Sequence, residues 1–191
     1  MTTVATITRT TITEALASLT TLEKRLVKKR EFVATYLHRA DGIKDPLERS
    51  VEGGSAEAIK RELQAIRDLE KHHLNIRMAI QRKNQETYVT VLDLTMTVAE
   101  WLTWRKEIAP QVQKFNHELR LKLVQARTEA QRRGAQVIGV GAAVNTDTKP
   151  TDIVVNVDEK SLQDEAERIE EVLGTLDGKL SLINATTTIE V

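Results

Sequence analysis

The sequence predicts a mainly α (α+β) fold: two antiparallel long-helix hairpins, a small three-stranded sheet at one end, and a β-hairpin at the tip of the second helical pair. Three observations predict it. Apolar residues recur every three or four positions over four long stretches, which places them on one helical face. Two of these stretches open on a Thr-x-x-Glu start signal. Short Thr- and Val-rich segments with a period of two flank the helical stretches. Composition agrees, since only 3% of the 191 residues are aromatic and only 3 are Pro. With 40% hydrophobic and 29% charged residues, the chain has enough apolar material to fold.

The first helix is predicted over Ile12 to Leu37. Ile12, Leu16, Leu19, Leu22, Leu26, Val33 and Leu37 form its inner stripe, and Thr11-Ile12-Thr13-Glu14 is its start. The basic run Lys24 to Arg30 reads as a solvated face, because Leu26 and Val27 keep the apolar phase through it. Asp41-Gly42, Pro46 and Gly53-Gly54-Ser55 supply the turn. A second helix is predicted over Ala56 to Lys83, with Ile59, Leu63, Ile66, His73, Ile76 and Ile80 inside, antiparallel to the first. After Asn84 the period changes to two, and Thr87 to Leu92 reads as a strand.

A third helix starts at Thr97-Val98-Ala99-Glu100 and stops by Gly134. Pro110 lies inside it and predicts a kink or short break, because proline has no N–H and crowds the carbonyl four residues back. Val137 to Val144 and Ile153 to Val157 read as a hairpin, joined by the turn-rich stretch Asn145 to Pro150. A fourth helix over Glu159 to Ile183 carries Leu162, Ala166, Ile169, Leu173, Leu176, Leu180 and Ile183, and Thr186 to Val191 closes the chain as a strand.

Two pairs of segments match without gaps. Asn84 to Val91 aligns with Asn184 to Val191, and Thr11 to Leu16 aligns with Thr97 to Leu102. The unit is strand, capped helix, antiparallel helix, Asn, strand, and it occurs twice. The expected organisation is a first repeat over 1–92 and a second over 87–191 that shares the middle strand and carries the 137–157 hairpin as an insertion. Helices of this length make an elongated molecule the expectation, and short strands with open edges pair with something. The candidate interaction residues are therefore Tyr88, Val89, Val91, Thr188, Ile189 and Val191 on the strands. Trp104 joins them because tryptophan is favoured at interfaces and this one lies off the helix's apolar stripe.

Chemistry has little to build on. With 0 Cys, disulfides, zinc–thiolate sites and thiol catalysis are excluded. His72 and His73 are adjacent, so on a helix they diverge by about 100° and cannot share a metal without outside ligands. Gly139-Val140-Gly141 precedes a turn and a strand, where a phosphate-binding loop requires a helix N-terminus. The acidic residues of the fourth helix surround its apolar stripe as a solvated face does, and no acid/base couple is expected. Basic and acidic residues balance at 28 each, which gives no electrostatic footprint for nucleic acid. Residues 1–8 lack a signal-peptide pattern, and no apolar run approaches the roughly 20 residues that span a bilayer. A soluble, non-enzymatic protein without cofactor, metal or small-molecule substrate is expected.

The segment Ala79 to Val91, followed by Met96-Thr97-Val98-Ala99-Glu100-Trp101-Leu102, resembles uncharacterised virion proteins of tailed bacteriophages, in which a helix ends at Asn, a Thr/Val strand follows and a Met-Thr-Val/Ile-Ala-Glu cap opens the next helix. A bacterial family of helical proteins described as septicolysin-like is similar in layout. The likeness covers mainly residues 76–108, and the 137–157 segment has no counterpart in it. It implies a structural component of head, neck or tail, synthesised in the host cytoplasm and located in the virion, whose partners are other virion proteins and copies of itself. The competing expectation is a cytoplasmic oligomeric adaptor or chaperone-like binding module.

Overall fold

The computed structural model describes residues 9–139, 149 and 151–191. The N-terminal run Met1 to Thr8, the outer part of the segment read as a 137–144 strand, and the turn Asn145 to Thr148 with Pro150 lie outside the described residues. The described chain is mainly α-helical with short strands, as expected. It runs β1 (Arg9–Thr11), α1 (Ile12–Tyr36), α2 (Gly54–Glu86), β2 (Tyr88–Val91), β3 (Leu94–Thr97), α3 (Val98–Thr103), a π-helical turn (Trp104–Ile108), α4 (Ala109–Arg133), β4 (Val137–Ile138), β5 (Ile153–Val154), α5 (Glu159–Thr186) and β6 (Thr188–Glu190). By packing it divides into two compact units, Met1–Thr87 with Leu180–Val191, and Tyr88–Lys179.

In the first unit α1 and α2 form the antiparallel pair. Thr11 caps α1: its hydroxyl accepts from the Glu14 N–H, while the Glu14 carboxylate accepts from the Thr11 N–H at 2.9 Å. Two orphan amides of the first turn are thereby satisfied. Ile12, Ala15, Leu19 and Leu22 of α1 pack with Ile76 and Ile80 of α2 and Ile189 of β6 in one buried cluster. The seam is bordered by Lys29–Glu62 at 2.6 Å and Arg30–Glu70 at 2.7 Å. The turn between the helices is fastened by Asp45, whose carboxylate accepts from the Leu47 N–H, the Ser55 N–H and the Ser55 hydroxyl. Gly54, with φ +61°, brings its backbone so close to this carboxylate that a Cβ would stand 2.5 Å from Asp45 Oδ2. Only glycine fits both the conformation and the space.

In the second unit Thr97 and Glu100 repeat the capping box at the start of α3. The break predicted from Pro110 takes the form of the π-helical turn, in which the Ala109 N–H donates to the Trp104 carbonyl. A proline at 110 cannot donate to Lys106, and widening the preceding turn by one residue relieves the clash. Ion pairs Arg105–Asp177 and Arg127–Glu159 set this helical segment and α5 antiparallel. Gly134, at φ +62°, ends α4 in the left-handed conformation.

The sheet differs from the sequence reading. No three-stranded sheet joins the described strands: β1 pairs with β6, β2 with β3, and β4 with β5, each as a separate two-stranded ribbon. The middle strand is not shared between the repeats. It closes the first, and a strand of its own, β3, opens the second; Leu94 to Thr97 was hidden in the sequence as the approach to a helix cap. The 137–157 segment is also not a hairpin, because β4 and β5 run parallel, Val137 opposite Ile153. Parallel strands need a connection longer than a tight turn, and the segment has more than a dozen residues between the two strands. Asp152 holds its base, accepting from the Gln136 N–H at 2.9 Å and the Lys149 N–H at 2.7 Å.

The repeat survives these corrections in a sharper form. Thr11 lies opposite Thr188, Thr10 opposite Ile189 and Arg9 opposite Glu190. In the other ribbon Thr97 lies opposite Tyr88, Met96 opposite Val89 and Thr95 opposite Thr90. Under the sequence alignment these are the same three pairs. Each closing strand therefore pairs with the opening strand of the other repeat, in one shared register.

Candidate interaction surfaces

The seven residues singled out from the sequence separate by face. On β2 the side chains alternate: Val89 and Val91 are buried, at 5% and 0% exposure, while Tyr88 stands 70% exposed. On β6 Ile189 is buried in the α1–α2 cluster with Val191 packed against it, and Thr188 points outward. The period of two that identified these strands also sets which side chains face outward. Tyr88 and Thr188 turn their side chains outward, whereas Val89, Val91 and Ile189 are buried. Trp104 is half-buried and meets Trp101 edge-on, with ring centroids 5.5 Å apart and an interplanar angle of 86°. Trp101 itself is fully buried, and its Nε1–H donates to the Val89 carbonyl at 2.9 Å.

The β2–β3 ribbon ends in the two-residue turn Leu92-Asp93, with Leu92 at φ +51°. That region disfavours a side chain, yet Leu92 and Leu94 are both exposed. Asp93 is held from α5 by Arg168 Nη2 at 3.0 and 3.1 Å. Lys179 Nζ donates to the Thr90 carbonyl. Each ribbon has two strands, so each leaves outer strand edges without a backbone partner among the described residues.

Sequence reasoning missed a further surface. Between α4 and α5 lies an open groove of about 510 Å³. Leu123, Leu162 and Ala166 line it, half-buried. Arg120 and Arg127 border it on α4, and Glu159, Glu167 and Glu170 on α5. The signal was present in the helices' composition, but reading the acidic side of α5 as a solvated face concealed that a basic helix lies beside it. In the first unit a second concavity is formed by Arg9, Arg82 and Lys83 with Glu86 and Glu190, a mixed-charge surface.

Titration points the same way. The carboxyls of Glu14 and Glu100 are held below their ordinary values chiefly by the backbone amides of Thr11 and Thr97. Asp45 is lowered by the Ser55 hydroxyl and amide, Asp152 by the Gln136 and Lys149 amides, and Asp158 by the Ser161 hydroxyl and the Lys160 amide. All five serve caps and turns. His73 Nε2 lies 3.2 Å from Glu23 Oε1 across the α1–α2 seam while His72 faces solvent, which is the divergence expected of adjacent helical positions. Among the described residues no group of three or more His, Asp or Glu is arranged to hold a metal, and no helix is long and apolar enough to cross a membrane.

No protein-family model matches the chain, and no curated protein matches it. Its fold is similar to the crystal structure of a functionally unknown conserved protein from Corynebacterium diphtheriae, with a TM-score of 0.53 and 15% sequence identity, over 95% of this chain and 99% of that one. That likeness concerns the fold alone.

Proposed function

We propose that this chain is a non-enzymatic structural component of a tailed-bacteriophage virion, in head, neck or tail, that assembles with copies of itself and with other virion proteins through ribbon edges and helical faces. The observation that carries the assembly reading is the pair of identically registered ribbons. Each offers outer strand edges to a further strand, and one carries Tyr88, Leu92 and Leu94 exposed beside them. Exposed apolar residues of this size beside unpaired strand edges favour contact with another chain. A non-enzymatic role is supported by where the perturbed carboxylates are used: each secures a helix start or a turn. The virion as the setting rests on the resemblance over residues 76–108.

The test is mass spectrometry of gradient-purified virus particles from the source culture. The reading expects the chain in fixed stoichiometry with the other particle proteins. Its absence from clean particles, with the protein present in the lysate, overturns the virion assignment and favours the cytoplasmic oligomeric adaptor.

A further inference from the structure

We infer that the α4–α5 groove is a self-complementary docking face, on which a second copy of this chain lays the same groove with its twofold axis parallel to the helices. The inference rests on the self-assembly part of the proposed function and names the surface involved.

α4 (Ala109–Arg133) has six basic and two acidic residues, net +4, whereas α5 (Glu159–Thr186) has seven acidic and three basic, net −4. The two helices stand side by side, so the face they share is basic on one half and acidic on the other. A second copy can cover it symmetrically in two ways. A twofold axis across the helices stacks α4 on α4 and α5 on α5, bringing like charges together. An axis along the helices stacks α4 of each copy on α5 of the other. Charge then alternates around a four-helix bundle and every adjacent pair is antiparallel, which also aligns the helix dipoles favourably.

The level of the contacts follows from the chain itself. The Arg127–Glu159 and Arg105–Asp177 ion pairs bracket the groove and place Arg120 beside the turn of α5 that ends at Glu167. An axis along the helices preserves level, so Arg120 of one copy reaches Glu167 of the other within a turn. Arg120, Glu167 and Glu170 make no ion pair among the described residues. Between the charged borders, half-buried Leu123 and Leu162 become the centre of the interface. The row from Glu170 continues at four-residue steps through Gly174 and Gly178, where an added Cβ would meet nothing within 4 Å. Glycine weakens a helix interior relative to alanine. On this face it leaves room for a neighbouring helix to approach closely.

The experiment is sedimentation velocity of the full chain over a concentration series, for the wild type, R120E, E167R and an equimolar mixture of the two variants. Both positions are on the surface, and circular dichroism checks that helix content is unchanged. The wild type is expected to reach twice the chain mass, and each variant alone to associate about tenfold more weakly or worse, since each brings two like-charged pairs together. The mixture is expected to recover as a 1:1 heterodimer. In it the glutamate introduced by R120E meets the arginine introduced by E167R, while the wild-type pair remains on the opposite side. Association of R120E equal to the wild type, or no recovery on mixing, overturns the docking face while leaving assembly through the ribbons intact. A wild-type chain that stays monomeric throughout overturns the docking face and removes self-assembly from the proposed function as well.

Discussion

The indole N–H of Trp101 donates to the carbonyl of Val89 at 2.9 Å, joining the first turn of α3 to the strand before the ribbon turn. Both residues are buried, Trp101 at 0% exposure and Val89 at 5%. The contact locks β2 and the start of α3 into a single corner, and the repeat places small Ala15 where Trp101 stands in the second copy. Trp101→Phe removes the donor of this buried bond and leaves a smaller ring in a fully buried site, a loss of about 1–3 kcal/mol. Trp104→Phe, at a half-buried site where the ring meets Trp101 edge-on, costs about 1 kcal/mol or less. Urea denaturation of the two variants measures the difference, and equal midpoints would refute the corner's role.

The two capping boxes predict a matched pair of losses. Thr11→Ala and Thr97→Ala each remove the hydroxyl that accepts from a first-turn amide, at a cost of about 0.5–2 kcal/mol. The sites share no partner, so the double variant should lose the sum within about 0.5 kcal/mol. The same boxes set an acid limb. Glu14 and Glu100 are lowered from an ordinary value of 4.5, and Asp45, Asp152 and Asp158 from 3.8. A carboxylate with a depressed folded pKa contributes its full stability above the unfolded value and loses it as pH falls through the folded one. The melting temperature should therefore be level above pH 4.5 with respect to these groups and decline below it, first from the two glutamates. Glu14→Gln should flatten the upper part of that decline.

Asn116 is 6% exposed on α4, and its Nδ2 has no protein acceptor among the described residues. An unmet buried donor costs about 1–3 kcal/mol. Asn116→Leu should raise stability by about 1 kcal/mol or more, read as a higher denaturation midpoint with an unchanged m-value; a lower midpoint would show that the amide is satisfied in solution.

The helices were legible in the sequence because their signals are local. Thr11-x-x-Glu14 and Thr97-x-x-Glu100 marked starts that the structure reproduces as full capping boxes, and Pro110 marked the break that became a π-helical turn. Pairing was not legible, because it is a choice between distant partners. The alternation of Tyr88 to Val91 announces a strand but says nothing of which edge it joins, and Arg9 to Thr11 could as well have paired with β2 as with β6. Leu94 to Thr97 failed for a different reason: four residues between a turn and a cap are too few to display a period. The direction of β4 against β5 is likewise absent from their composition. The α4–α5 groove was missed since charge was weighed helix by helix and its meaning lies in the two helices side by side.

Each closing strand pairs with the opening strand of the other repeat, and cysteine pairing tests this most directly. The chain has 0 Cys, so introduced pairs report without background. Arg9 lies directly opposite Glu190 in the β1–β6 ribbon, within the span a disulfide bridges. The repeat-equivalent of Glu190 is Thr90, which a sheet closed within the first repeat would set beside Arg9 instead. Under mild oxidation the R9C/E190C variant should form an intrachain disulfide and unfold at higher denaturant concentration, while R9C/T90C should stay reduced. A disulfide in R9C/T90C and none in R9C/E190C would contradict the exchanged pairing and, with it, the two ribbons on which the assembly reading stands.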